Sequence, residues 1–133
     1  MRLSRAASYA LQAVVYLAKQ EGGAAAVPSH VIAGDRKIPE RFLLKVLKPL
    51  VSAQILLSVN GLRGGYRLAR PAGTITMLEV VEAVDGPIRG AAPLRPQGPD
   101  AGLLCRLDQV CRQLAEQARK ALARVKVSDL AAR

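Results

Sequence analysis

The sequence predicts a mainly α-helical fold with one small β-hairpin and a long closing helix. Apolar residues recur at helical spacing through most of the chain. Two short alternating runs flank a glycine-rich basic loop within Ser58–Ala69, which is a hairpin pattern. From Leu104 to Val125, Leu104, Leu107, Cys111, Leu114, Ala118, Ala121 and Val125 follow one another at steps of 3, 4, 3, 4, 3 and 4, a heptad seam. With 133 residues, 50% of them apolar, the chain can bury one compact core, and global disorder is excluded.

The elements follow in order. Residues 4–20 read as a helix with Ser4 as N-cap and Gly22-Gly23 as its stop. Val27-Pro28-Ser29 opens a second, short helix that ends near Gly34-Asp35. A third starts at Pro39, with Leu43, Val46, Leu47, Leu50 and Val51 on its inner face. Pro49 predicts a kink or an early tightening there, because it has no N–H for the Lys45 carbonyl. Residues 55–59 and 66–69 read as strands, with Ile55, Leu57 and Val59 on one face, joined by the loop Asn60–Gly65. Thr76-Met-Leu-Glu79 is a capping box that opens a fourth helix. Residues 86–102 hold eight Gly or Pro in seventeen positions and read as a long loop. The heptad segment is the last helix. Residues 1–75 thus form one part, and residues 76–133 a connecting helix, loop and long helix integrated with it.

Charge separates the two parts. Residues 1–75 carry eleven Lys or Arg against Glu21, Asp35 and Glu40, a net +8, whereas residues 76–133 carry a net +2. A positive field concentrated on the first part suits a polyanion. One Phe, three Tyr and no Trp leave no aromatic platform for single-strand stacking. The sequence predicts no signal peptide and no membrane span, and two cysteines make no disulfide framework. A cytoplasmic protein is expected.

Two helices joined by the tight Gly34–Ile38 connection, the second one basic and followed by a basic hairpin, make a winged helix-turn-helix. Arg41, Lys45 and Lys48 share a face of the third helix. Its N-terminal residues lie nearest base edges in a major groove, so Arg41 and Lys45 are the candidate base contacts, reaching guanine O6 and N7. Lys48, Arg63 and Arg67 are candidate phosphate contacts. Gly61–Gly65 runs into a strand rather than a helix with a Lys-Ser/Thr pair, which excludes a nucleotide P-loop. The heptad seam predicts a homodimer, which sets two such helices on one face of double-stranded DNA.

No catalytic constellation emerges and an enzyme is not expected. His30, the single histidine, has no nucleophile near it in sequence. Glu79, Glu82 and Asp85 read as a polar stripe for solubility or pairing with a basic neighbour. Cys105 and Cys111 project about 120° apart on a helix, so they make no metal pair. Cys111 belongs to the seam. Cys105, near the helix start, is the candidate redox residue.

The ensemble Met1-Arg-Leu-Ser4, Tyr9-Ala10, Val27-Pro28, Ile38, Phe42-Leu43, Leu56–Val59, Gly64-Gly-Tyr66, Glu79–Gly86 and Val127–Leu130 resembles the iron–sulfur cluster regulator and nitric-oxide-sensing repressor family (IscR/NsrR-type). The resemblance runs through nearly the whole chain in order. It implies a bacterial dimeric transcription factor whose long C-terminal helix forms the dimer. Many members hold an iron–sulfur cluster through three cysteines before that helix. Cys105 falls at the third of those positions, and residues 86–102 contain no cysteine for the other two. A cluster is therefore not expected, no other cofactor or metal is, and Cys105 is at most a residual ligand. At the wing tip Asn60 stands where many members have an arginine, leaving Arg63 as the cation for the minor groove. Leu44 stands where some members have a glutamate that modulates sequence preference, so the DNA target cannot be transferred from them. The competing readings are a metal- or redox-sensing regulator using Cys105 and a winged-helix module for an acidic protein partner.

Overall fold

The computed structural model describes residues 2–90 and 98–132, so residues 91–97 of the predicted Gly/Pro-rich loop lie outside the described residues. Among the described residues six α-helices and one hairpin follow in order: α1 (Arg5–Ala18), α2 (Ser29–Arg36), α3 (Glu40–Ser52), β1 (Leu56–Val59), β2 (Gly65–Leu68), α4 (Met77–Asp85), α5 (Ala101–Ala123) and α6 (Val127–Ala131). The core forms around α1, which packs on α2, α3, α4, α6 and β2. Its buried stripe Ala7, Ala10, Leu11, Val14 and Leu17 meets Leu43, Leu47 and Leu50 of α3 and Val80 of α4 in one aliphatic cluster. Leu17, Leu43, Leu47 and Leu50 are wholly buried, and truncating any of them to alanine would cost about 2–5 kcal/mol.

The N-caps of α1 and α4 are built as the sequence indicates, whereas α1 ends at Ala18, ahead of Gly22-Gly23. Ser4 Oγ accepts the Ala7 N–H and donates to the Asp85 carboxylate, tying the start of α1 to the end of α4. Thr76 and Glu79 close the capping box of α4. The polar stripe of that helix is engaged, in part by the expected pairing with a basic neighbour. Glu79 also pairs with Arg70, Glu82 accepts the Ile88 N–H at 2.7 Å, and Asp85 takes the Ser4 hydroxyl. Burial pushes the Glu79 carboxyl up, but hydrogen bonds from Arg70 and Thr76 and the Arg70 charge outweigh it and hold it below its ordinary value.

Helix α3 does not stop at Pro49. It continues to Ser52, and the Ala53 N–H donates to the Pro49 carbonyl at 2.9 Å. Pro49 sits near the C-terminal end, so one backbone bond is lost, and Leu50 is buried just beyond it, which holds the final turn in place.

The expected strand alternation also shifts by one residue. Gln54 takes a left-handed conformation (φ 61°) and the Ile55 N–H bonds the Leu50 carbonyl, so Ile55 still belongs to the helix exit. Ile55 and Leu56 are both buried, and Leu57 is exposed. The strands pair antiparallel, Leu56 with Leu68, Leu57 with Arg67, Ser58 with Tyr66 and Val59 with Gly65. Val27 adds a bridge to Tyr66, with both backbone bonds at 2.9 Å.

Helix α5 ends at Ala123, so Val125 lies beyond it and is not part of a helical seam. Its carbonyl instead accepts the Met77 N–H at 2.8 Å, and the Val127 N–H donates to Ile75 at 2.8 Å, stitching the start of α4 to the α5–α6 junction.

Candidate nucleic-acid interface

Helices α2 and α3 meet through a tight turn. Lys37 is left-handed (φ 55°, ψ 46°), the Ile38 N–H bonds the Ala33 carbonyl at 2.9 Å, and buried Ile38 plugs the turn into the core. Ser29 Oγ donates to Glu40 Oε2 at 2.9 Å, bracing one helix start against the other. Tyr16 of α1 donates its hydroxyl to Asp35, and that hydrogen bond, with burial and the Asp35 charge, raises the phenol's pKa.

This frame holds α3 with its buried stripe inward. At 100° per residue, Arg41, Lys45 and Lys48 fall within an arc of about 60° on the opposite side of the helix. All three are exposed, as the sequence reading requires. The Arg41 guanidinium lies 5.0 Å and the Lys45 ammonium 5.6 Å from the centre of the Phe42 ring. Phe42, the chain's single phenylalanine, is half-buried and gives both cations an aromatic seat. Arg5 of α1 lines the same small cleft as Phe42 and Lys45. Neither Phe42 nor Arg5 stands out in the sequence as a site residue. The proximity of α1 to α3 is tertiary, and no local pattern announces it. Leu44, 43% exposed, lies on the basic face.

The wing is anchored at its base. A side chain at Gly65 would place its Cβ 2.3 Å from the Val27 carbonyl, and one at Gly64 would meet the Val59 oxygen at 2.2 Å. The Gly64 N–H bonds the Gly61 carbonyl at 3.0 Å, closing a turn that displays Leu62 and Arg63. Asn60, Leu62 and Arg63 are exposed, Leu62 completely. Arg67 is placed differently. It stands opposite Leu57 in the hairpin stem, half-buried, and its Nη1 donates to the Leu68 carbonyl at 3.3 Å. The tip thus carries Arg63, and the stem carries Arg67.

The proposed seam of α5 divides between two faces. Ala115 and Leu122 are buried, and Leu104, Cys111 and Ala118 are half-buried beside them. Gly90 lies so close to the backbone of Cys111 that a Cβ would fall 1.9 Å from its oxygen, and Arg119 donates to the Ile88 carbonyl at 3.0 Å. About 90° around the helix, Leu103, Leu107, Val110 and Leu114 form a second apolar stripe, 48%, 45%, 51% and 59% exposed. Leu107 and Leu114 therefore lie on the open stripe, with Leu103 and Val110 that the sequence reading left out. Two interleaved series, 104-111-115-118-122 and 103-107-110-114, both keep helical spacing, and spacing alone does not say which one faces inward.

Few residues could serve an iron–sulfur cluster. The chain has two cysteines and one histidine in all. Cys105 and Cys111 share one rigid helix at about 120°, Cys105 is exposed, and His30 is exposed on α2. Among the described residues no three His, Cys, Asp or Glu side chains are grouped to hold a metal ion.

A helix-turn-helix with a basic second helix, followed by a pinned β-wing, defines a DNA-binding transcriptional regulator of the winged helix-turn-helix class. The chain belongs to the Rrf2 family, described as iron-dependent transcriptional regulators, whose family model matches residues 3–133. It is 34% identical over 135 residues to a Mycobacterium tuberculosis H37Rv protein named as an HTH-type transcriptional regulator, covering 98% of this chain and 81% of that one. It is 31% identical over 132 residues to the HTH-type transcriptional regulator IscR of Xenorhabdus nematophila, covering 98% and 79%. The fold is that of CymR, the global cysteine regulator of Bacillus subtilis, with a TM-score of 0.78 at 23% identity over 98% of this chain and 96% of that one. Among the described residues no helix is long and apolar enough to cross a membrane.

Proposed function

We propose that the chain is a homodimeric, sequence-specific regulator that binds double-stranded DNA in the bacterial cytoplasm and works without an iron–sulfur cluster. The observation that carries this is the exposed face of α3. Arg41, Lys45 and Lys48 stand opposite the buried stripe, and the wing tip presents Arg63 and Asn60 beyond it. Helix α3 enters the major groove, Arg41 and Lys45 read base edges, Lys48 and Arg63 neutralise phosphates, and Arg67 supports the wing from its stem. The open stripe Leu103-Leu107-Val110-Leu114 supports a two-fold dimer, because four large apolar side chains in a row are left without cover. The cluster-free reading rests on the poverty of ligands.

Selection from a random duplex library gives the target, and fluorescence anisotropy then separates the roles. Arg41→Ala should flatten discrimination between target and scrambled duplexes. Arg63→Ala should weaken both alike. Equal loss of discrimination from both substitutions overturns the division of roles. Protein purified without oxygen should be colourless. A visible absorption band with stoichiometric iron overturns the cluster-free reading.

A further inference from the structure

A cleft of ≈ 270 Å³ opens between α1, the end of α2, the start of α4 and α6. Leu11, Val15, Met77 and Leu130 give it an apolar lining, and Tyr16 forms part of its wall. Leu130 remains 39% exposed, and Val15 and Met77 are only half-buried, so the chain itself does not fill this space. Two cations, Lys19 and Arg36, line the same cleft and are exposed, which sets them at its solvent edge. Among the described residues neither side chain has a hydrogen-bonding or ion-pair partner. The neighbouring carboxylate, Asp35, is engaged by the Tyr16 hydroxyl.

We propose that this cleft is an effector site for a small amphipathic carboxylate. The carboxylate sits between Lys19 and Arg36, where a guanidinium can bind it through two parallel hydrogen bonds. The apolar body lies over Leu11, Val15, Met77 and Leu130. An apolar cavity of about 150 Å³ holds a benzene ring, so this cleft has room for a ring and a short acid arm. Binding is favoured twice, by covering apolar surface and by pairing cations that otherwise face water.

The position of the site gives it a consequence. Arg36 is the last residue of α2, directly before the turn into α3. Met77 and Leu130 belong to the elements stitched to the end of α5. A ligand that spans them couples the orientation of the basic helix to the α5–α6 end of the molecule, and so shifts DNA affinity by linkage. That consequence rests on the DNA-binding reading; the binding itself does not.

The test uses the full chain and 3-phenylpropionate, with 3-phenylpropanol and 3-phenylpropylamine as uncharged and cationic controls. Calorimetry and thermal shift should show saturable binding of the acid and a raised melting temperature, with neither control binding comparably. Arg36→Ala and Lys19→Ala should each weaken binding at least tenfold while leaving the melting temperature of the free protein unchanged. No saturation by the acid at millimolar concentration overturns the proposal, as does equal binding of the alcohol. Absence of binding in the dimer, with binding restored in a Leu114→Glu monomer, would make the cleft a subunit contact and also overturn it. DNA affinity is measured first without the acid, so a failure of DNA binding is read separately from a failure of the site.

Discussion

Salt dependence gives the sharpest test of how many cations meet the duplex. Arg41, Lys45, Lys48 and Arg63 are exposed on the α3 face and the wing tip, so a two-fold dimer offers eight. Each phosphate-neutralising cation contributes about −0.9 to the slope of log Kobs against log salt concentration. The four phosphate contacts, Lys48 and Arg63 of each protomer, give a slope of about −3.6, and all eight cations, with those in the groove also displacing counterions, give about −7.2, at which affinity falls about 10⁴-fold between 50 and 200 mM salt. Lys48→Ala removes one cation from each protomer and makes the slope shallower by about 1.8. Lys48 is exposed and among the described residues makes no ion pair, so the substitution leaves the core alone. The assay is fluorescence anisotropy of a labelled duplex titrated across a series of potassium chloride concentrations, with folding checked by circular dichroism. A wild-type slope shallower than about −3 would show that the basic face does not lie on the duplex. An unchanged slope in Lys48→Ala would remove Lys48 from the contact.

Further substitutions address the wing, the dimer and the capping box. Gly65→Ala forces a Cβ into the Val27 carbonyl at a backbone with φ +143°, and should cost about 3 kcal/mol in urea unfolding while weakening DNA binding. Gly34→Ala lies in α2 with nothing within 4 Å of the new methyl, and should stabilise by about 1 kcal/mol; a loss of stability there would contradict the helix placement. Leu107→Glu with Leu114→Glu places charge on the open stripe of α5 and should yield monomers by sedimentation equilibrium, whereas an unchanged dimer would exclude that stripe as the interface. The Glu79 carboxyl is depressed in the folded state, so its stabilisation is fully present above its unfolded pKa and is lost as pH falls through the folded value. Glu79→Gln should therefore lower stability at neutral pH by at most about 1 kcal/mol, the pair being partly exposed, and narrow the difference from wild type in acid.

Local chemistry made most of the fold legible in the sequence. Ser4, Thr76 and Glu79 act within three residues of themselves, and helix periodicity placed Leu43, Leu47 and Leu50 inward. The basic triplet of α3 was legible for the same reason, because everything opposite a buried stripe faces out. Properties set by distant contacts were not. Ile55 reads as a strand residue until the bond to Leu50 places it in the helix exit. Arg67 and Arg63 have the same chemistry and lie on the same hairpin. The sequence already sets Arg63 in the loop and Arg67 in the second strand, and the pairing of β2 with β1 adds that Arg67 stands half-buried opposite Leu57. The seam of α5 was ambiguous because two apolar series fit one period, and the packing of residues 86–90 against Cys111 and Arg119 decides which of them turns inward.

The pinning of the wing at Gly64 and Gly65 divides that hairpin into a fixed stem and an exchangeable tip. Backbone oxygens of Val59 and Val27 occupy the space a side chain would need at the two glycines, whereas Asn60, Leu62 and Arg63 project into open solvent. Tip residues can therefore change size, charge and polarity without disturbing the strands or the helix-turn-helix behind them. The molecule is built so that new groove contacts can be tried beside a core that does not register the change.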